Sequence, residues 1–422
     1  MEDLILVLEI DSSSMPTEPY NWISSQIGAR EHYTIPRALQ QEGQLTHLIT
    51  DAWVSPQSAL NYLPKSVLAN LRERYHPDLN QASVHAFNSS LIRFELTQRL
   101  QKKIGWERVI ARNQWFQQQT IKTLAGLSDQ ITTPLILFSY SYAALDIFRF
   151  AKQQGWYTVL CQIDPGLWEE KMVTQEYERY PQYRANWQPA PPEYWQSWRE
   201  ECTLADVIVV NSNWSGKLLE KTGVDPKKIH IIPLVYTPPE AASNFVRTYP
   251  ELFSQERPLR VLFLGQVILR KGIAAVLDAV QLLEGFAVDF WIVGSVQIEI
   301  PSHFQNHPQI RWLGHVNRSE TAQYYQRADV FLFPTISDGF GLTQLEAQAW
   351  KLPIIASRSC GEVVVDNVNG WVLEEVSGNK IANLIQSILT DPAQLQYLSN
   401  GLASPLKFSL ANLFHSLQDS IL

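Results

Sequence analysis

Asp338 and Glu346 stand eight residues apart around a Gly-Phe-Gly turn, in the stretch FPTISDGFGLTQLEAQAWKLPIIA. The preceding VFLFP reads as a strand, and Leu342, Leu345, Ala349 and Trp350 recur at helical spacing, so the turn joins a strand C-terminus to a helix N-terminus. Free N–H groups and the positive end of the helix dipole meet there and favour an anion such as phosphate by about 0.3–1 kcal/mol. Gly339 and Gly341 have no Cβ, which leaves that backbone open to close approach. Two carboxylates on the order of 10 Å apart around an anion site suit a nucleotide sugar, since each can accept hydrogen bonds from a pair of hydroxyls. In an unrelated chain the same residues would be a capping Asp and a solvated Glu.

The elements that must position this turn follow from the pattern of the whole chain. Short apolar runs, LILVLEI, THLITD, LILFSY, YTVLCQID, DVIVVNS and IHIIPL, then RVLFLG, VDFWIVG, IRWLG, VFLFP and LPIIAS, alternate with helix-like segments. This is the signature of parallel strands with crossover helices. The two sets predict two Rossmann-like domains, residues 1–233 and 259–402, joined by a Pro-rich linker at 234–258. Residues 403–422 read as a last amphipathic helix, LKFSLANLFHSLQDSIL. Ligands bind where strand C-termini face a crevice, so the functional site is expected in the cleft between the domains.

The run D-G-F-G-L-T-Q-L-E, with its flanks VFLFPTIS and LPIIAS, resembles the acidic-x7-Glu signature of glycosyltransferase family 4. That resemblance implies a GT-B fold, two Rossmann-like domains facing across a cleft, and a C-terminal domain that binds the donor. It places donor-sugar hydroxyls on Asp338, ribose hydroxyls on Glu346, and the diphosphate on the backbone of Gly339, Phe340, Gly341 and Leu342. Asp stands where the family more often has Glu, which keeps the charge and changes the reach.

Other segments carry the same resemblance. RVLFLGQVILRKG contains Lys271 and Gly272, like the family's Lys-Gly that meets the donor phosphates, with Gly265 in the loop before them. Gln266 stands where the family commonly has Arg, and the adjacent Arg270 is the candidate to restore that charge. In IRWLGHVNRSE, His315 and Val316 match the backbone that reads the nucleobase. QIGAREHYTIPRALQ resembles the glycine-rich loop that faces the diphosphate from the N-terminal domain, with Gly28 as the contact and Arg30 beside it. YTVLCQIDPG ends with Gln162 and Asp164 where relatives often have His, so Asp164 is a candidate for the sugar or acceptor, or else a turn-forming residue.

The implied activity is retaining, metal-independent transfer of a sugar from a UDP- or GDP-linked donor to an acceptor hydroxyl. The catalytic set is Asp338, Lys271, Arg270 and Asp164, and no metal or cofactor is expected, the nucleotide sugar being a substrate. Two alternatives stand beside it: a noncatalytic sugar-nucleotide-binding protein of the same fold, and a glycoside hydrolase using Asp338 and Glu346 as its carboxylate pair. The acceptor, whether glycan, lipid-linked or a small molecule, is not specified. Trp168, Trp187, Trp195 and Trp198 form either an acceptor platform or a core-covering insert, with Arg179 and Arg184 nearby.

Composition bounds these readings. At 422 residues with 45% hydrophobic and 18% charged residues the chain is globular and multi-domain. A net charge of -8 gives no basic field for nucleic acid. Cys161, Cys202 and Cys360 lie far apart, which fits a reducing cytoplasm better than a disulfide framework. The opening MEDLILVLEIDSSS reads as a first strand rather than a signal peptide, and no apolar run approaches the roughly 20 residues of a membrane span. Residues 93–112 combine basic residues with Leu100, Ile104 and Val109 at helical spacing, as in a helix lying on the cytoplasmic face of a membrane or, more commonly, one that packs its apolar face inward.

Overall fold

A computed structural model describes residues 20–58, 61, 71, 74–128, 135–183, 187–401 and 408–421. The chain builds two parallel sheets. The first contains β1 (Asn21–Gln26), β2 (Leu45–Thr50), β3 (Val84–Ala86), β4 (Leu135–Tyr140), β5 (Tyr157–Gln162), β6 (Val207–Val210) and β7 (Ile229–Ile231), in the order β3-β2-β1-β4-β5-β6-β7. The second contains β8 (Leu259–Leu264), β9 (Val288–Val293), β10 (Ile310–Gly314), β11 (Val330–Phe333), β12 (Ile354–Ser357) and β13 (Gly370–Leu373), in the order β10-β9-β8-β11-β12-β13. Strands such as LILFSY and VDFWIV are buried along their whole length, because helices cover both faces.

Each order reverses once, between β1 and β4 and between β8 and β11. Loops diverge at such switch points and leave a crevice at the strand C-termini. In the first sheet the crevice lies beyond Gln26 and Tyr140; in the second, beyond Leu264 and Phe333, at the Asp338 turn. The two crevices face each other.

Several elements differ from the sequence reading. Residues 4–10, expected as a first strand, lie outside the described residues, and the strand leading to Gly28 is Asn21–Gln26. Its buried Ser24, Ser25 and Gln26 hide it from an apolar-run search. The segment 234–258 is not a free linker. Ala242, Phe245, Tyr249 and Phe253 pack on the second domain, and the buried Arg247 guanidinium donates to the carbonyls of Tyr325, Ala328 and Trp350. Residues 93–112 do not form one helix. Lys102 and Gly105 take positive φ (52° and 55°) and split the segment into Asn88–Leu100 and Gly105–Leu127.

The helix Leu410–Ile421 returns to the first domain, where Leu413, Phe414 and Leu417 bury against Ile35, Ala38 and Leu39. Just before it, the Phe408 ring meets Phe340 of the turn, with centroids 5.8 Å apart. The return segment therefore braces the turn that carries the candidate site.

Candidate functional site

The turn after β11 is shaped by its glycines. Gly341 has φ 85° at the start of the helix Leu342–Ala349, and a Cβ there would lie 2.5 Å from the Phe333 ring. A Cβ on Gly339 would come 2.5 Å from the Ile163 carbonyl oxygen of the first domain. Only a bare backbone fits between the two domains at this point. The Gly339 carbonyl accepts from Ser212 Oγ at 2.7 Å and Ser215 Oγ at 3.3 Å, which orients the following peptides.

Asp338 faces Lys271 and Arg270. The Lys271 ammonium pairs with Asp338 Oδ2, and Arg270 Nη1 stands 3.9 Å from the same oxygen. Burial acts to raise the Asp338 carboxyl, but Lys271, Arg270 and the Phe340 N–H together hold it below the usual carboxylate range. Lys271 is aimed by Gly272, whose φ of 77° ends a short helical turn and whose missing Cβ makes room for the Pro334 carbonyl. Arg270 Nη1 also donates to the Ser337 carbonyl at 3.0 Å. Gln266 is exposed, so the Arg270 guanidinium, not the side chain at position 266, reaches the centre of the cleft. Gly265 packs its carbonyl where a Cβ on Gly294 would be, drawing the loops after β8 and β9 together.

Glu346 lies one turn into the helix. Its Oε2 accepts from Tyr325 OH at 2.8 Å, and Arg318 Nη2 is 3.9 Å from Oε1. Burial raises this carboxyl, countered by Tyr325 and Arg318. Arg318 also reaches His32 of the first domain, Nη1 to Nδ1 at 3.3 Å, and so joins the two halves beside Glu346. Val316 packs into the second domain's core, while His315 is exposed on the loop after β10.

The first domain supplies the opposite wall. Asp164 Oδ1 accepts from Tyr142 OH at 2.5 Å, the Gly166 N–H at 2.9 Å and the Gln162 amide at 3.1 Å, so it both forms the turn and faces the cleft. Gly28 N–H donates to Asp51 Oδ1 at 2.8 Å, and the face a Cβ would occupy is filled by the Arg74 guanidinium rather than open to a ligand. Beyond Gly28, Glu31, His32 and Tyr33 all take positive φ (51°, 55° and 59°), an unusual run that the surrounding packing must enforce.

Four residues here were not singled out from the sequence. Glu169 Oε2 is buried with no hydrogen-bond partner, 3.6 Å from Arg270 Nη1. Burial pushes its carboxyl up to about 8, with Arg270 opposing and Asp164 and Asp338 adding to the rise. Tyr142, at φ 74°, is held by Glu201, whose buried carboxylate accepts from the N–H groups of Tyr142, Ala144 and Leu145 at 2.7–3.1 Å. Arg318 is the fourth. None of them has a local motif; their meaning lies in contacts between distant segments.

A cavity of about 710 Å³ includes part of this cluster, with Trp106, Tyr177, Trp187, Tyr194 and Trp195 in its wall beside Asp164, Glu169 and Arg270. Of the expected aromatic platform, Trp187 and Trp195 thus line a cavity. Trp198 is core, donating to Gln162 Oε1 at 2.8 Å, and Trp168 lies under Lys171 and Lys221. Arg179 stands over the Tyr180 ring, and Arg184 lies outside the described residues. Among the described residues no group of three His, Cys, Asp or Glu side chains is placed to hold a metal.

Residues 248–401 match the family model "Glycosyl transferases group 1". The same two-domain architecture recurs in solved structures over nearly the whole chain. Sucrose-phosphate synthase from Thermosynechococcus elongatus superposes with a TM-score of 0.62 at 15% identity, covering 94% of this chain and 98% of that one. Anabaena Alr3699/HepE in complex with UDP and glucose gives 0.59 at 12% identity, covering 95% and 99%. The chain has the GT-B fold, and its second domain matches the group 1 glycosyltransferases. Among curated sequences, the capsular polysaccharide biosynthesis glycosyltransferase CapM of Staphylococcus aureus is 27% identical over 139 residues, 31% of this chain and 36% of that protein. The chain spans about half or less of the length of the first curated relatives it matches, between 36% and 51%.

Proposed function

We propose that this GT-B protein is a retaining, metal-independent glycosyltransferase with the site organisation of family 4, taking its sugar from a UDP- or GDP-linked donor. The observation that carries this reading is the helix tip at Gly339–Leu342, with Asp338, Lys271 and Arg270 on one side and Glu346 on the other. The tip and the two cations oppose the charge that grows on the leaving diphosphate, while Asp338 and Glu346 accept from sugar and ribose hydroxyls. Preaimed donors of this kind contribute about 2.7–4 kcal/mol each to a developing oxyanion.

In the step proposed, the bond between the anomeric carbon and the phosphate oxygen breaks, and the acceptor oxygen bonds to that carbon on the same face. The acceptor proton passes to the departing phosphate. Lys271 and Arg270 hold that phosphate in place, and Asp338, held ionised, orients the sugar. Closure of the domains around Gly339 keeps water from the reacting carbon.

The acceptor is assigned to the aromatic cavity, whose wall includes Asp164 of the first domain and Arg270 of the second. Access from a membrane is also part of the reading. Leu100 and Ile104 are 85% and 80% exposed at the helix-hairpin tip, next to Lys102 and Lys103, and Gly105 and Trp106 begin the cavity wall. No described helix is long and apolar enough to cross a bilayer, so such contact is peripheral, on the cytoplasmic face. Sedimentation with phosphatidylglycerol vesicles should pull down the chain and lose it on Leu100→Ser with Ile104→Ser; equal sedimentation of both would remove the membrane from the account.

Turnover of a panel of UDP- and GDP-sugars with candidate acceptors tests the activity itself. Transfer with retained anomeric configuration in the presence of EDTA is the expected result. Nucleotide binding without turnover would favour the noncatalytic reading, for which exposed Gln266 in place of Arg is the motivating feature.

A further inference from the structure

We infer that a second chamber of the first domain holds a sugar unit of the acceptor that carries an anionic group, phosphate or carboxylate, facing Arg30. The inference rests on the transfer reading above and adds the chemistry of the acceptor. The chamber, about 240 Å³, lies beyond the C-terminal ends of β1, β4 and β5, walled by Ser25, Gln26, Arg30, Arg112, Tyr140 and Ser141. It meets the aromatic cavity at Val109, Tyr142, Asp164 and Tyr194. The Cα of Asp164 would lie 3.5 Å from a Cβ on Gly339, so the junction of the two spaces abuts the donor turn.

Three of its wall atoms are buried without a partner: Ser25 Oγ, Gln26 Oε1 and Arg112 Nε. Ser25 and Gln26 are 0% and 1% exposed. Each such atom costs about 1–3 kcal/mol if left unmet, so the walls are built for a polar occupant. The set is mixed. Gln26 Oε1 only accepts and calls for a hydroxyl; Arg112 Nε only donates and calls for an oxygen; Ser25 Oγ serves either way. A polyhydroxylated ring supplies both kinds at once.

The charge balance adds the anion. Arg112 and Arg74 share a single carboxylate, Asp51, at 2.7 and 3.7 Å. Arg30 makes no ion pair among the described residues and stands 5.6 Å from the centre of the Tyr140 ring. The neighbouring Glu31 is pushed up to about 7 by burial, against the pull of Arg30 and Tyr140, and so offsets little of this charge below that pH. Asp164 is the carboxylate in the wall, and its Oδ1 is already engaged by three donors. A guanidinium left over in a polar, sugar-sized space is suited to a phosphate or carboxylate.

Calorimetric titration of the full chain with glucose, glucose 6-phosphate, glucuronate and inorganic phosphate tests this, with the last two separating carboxylate from phosphate and ring from free ion. At least one charged sugar should bind ten or more times tighter than glucose and tighter than inorganic phosphate. Arg30→Gln should remove that preference, and Arg30→Lys should retain part of it while reporting that the fold tolerates change at this position. Equal binding of glucose, tighter binding of free phosphate, or an unchanged preference in Arg30→Gln would overturn the inference. UDP titrated into the same preparations separates the two claims. UDP binding without charged-sugar preference defeats only the chamber, and the preference without UDP binding defeats only the donor reading.

Discussion

Ser212 Oγ of the first domain donates to the Gly339 carbonyl of the second at 2.7 Å, so the turn that would hold a diphosphate is clasped from across the cleft. The Ile163 carbonyl closes the other side, 2.5 Å from where a Gly339 Cβ would stand. Binding and domain closure meet at one peptide. Gly339→Ala should therefore open the cleft without unfolding either domain. Small-angle scattering should show an increased radius of gyration, and transfer should fall at least tenfold, about 1.4 kcal/mol in activation free energy. An unchanged radius and rate would separate closure from this peptide.

Asp338 is paired with Lys271 and held ionised, a state suited to accepting sugar hydroxyls rather than carrying the nucleotide. Asp338→Asn keeps the shape and removes the charge. Transfer should drop by a hundredfold or more, about 2.7 kcal/mol, with UDP affinity changed by less than threefold. Steady-state kinetics with parallel UDP titration would check this.

Glu346 should behave in the opposite way. Tyr325 fixes one oxygen and Arg318 stands near the other, and the proposed donor site gives this carboxylate the ribose hydroxyls to hold. Glu346→Ala should weaken UDP binding by about ten- to a hundredfold, or roughly 1.4–2.7 kcal/mol. Tyr325→Phe, which frees the carboxylate but leaves it in place, should give a smaller loss.

Glu169 predicts a pH dependence for the site. Its folded carboxyl is raised to about 8 by burial, so it is mostly neutral below that pH and negative above it. A negative Glu169 competes with a diphosphate for Arg270, 3.6 Å away. Beyond the effect of the nucleotide's own phosphate ionisation at about pH 6–7, UDP affinity should fall as pH rises through about 8, and Glu169→Gln should abolish that fall. Stability has the same sign. The folded state holds the proton more tightly than the unfolded chain, so the stabilising contribution is present at low pH and declines between the ordinary glutamate range and about 8. Melting temperatures of wild type and Glu169→Gln across pH 5–9 would show the difference.

Glu201 is a structural counterpart. Its carboxylate satisfies three N–H groups and holds Tyr142 at positive φ, which in turn aims a hydroxyl at Asp164. Glu201→Ala should destabilise the first domain by about 3–5 kcal/mol, because buried donors are left without partners. Denaturant unfolding would measure it.

What was legible in the sequence is what is local. The Asp338 and Glu346 pair, its glycines, the Arg270-Lys271-Gly272 run and the strands flanking them sit in continuous segments whose spacing carries the geometry. The two Rossmann-like domains followed from the alternation of strands and helices, and the GT-B fold from the resemblance carried by the Asp338–Glu346 segment. β1 escaped notice because its last three residues, Ser24, Ser25 and Gln26, are buried yet polar, Ser25 and Gln26 lining a chamber. Glu169, Glu201 and Arg318 escaped because each acts on residues far away in the chain, which no periodicity encodes. The single amphipathic helix expected at 93–112 failed at Lys102 and Gly105, where two left-handed residues turn the chain.

The most direct test of the central claim is a crystal structure of the chain with UDP bound. The account requires the diphosphate against the N–H groups of Gly339–Leu342, within reach of Lys271 or Arg270, and the ribose hydroxyls on Glu346. UDP lodged anywhere else, with that helix tip left open to solvent, would contradict it.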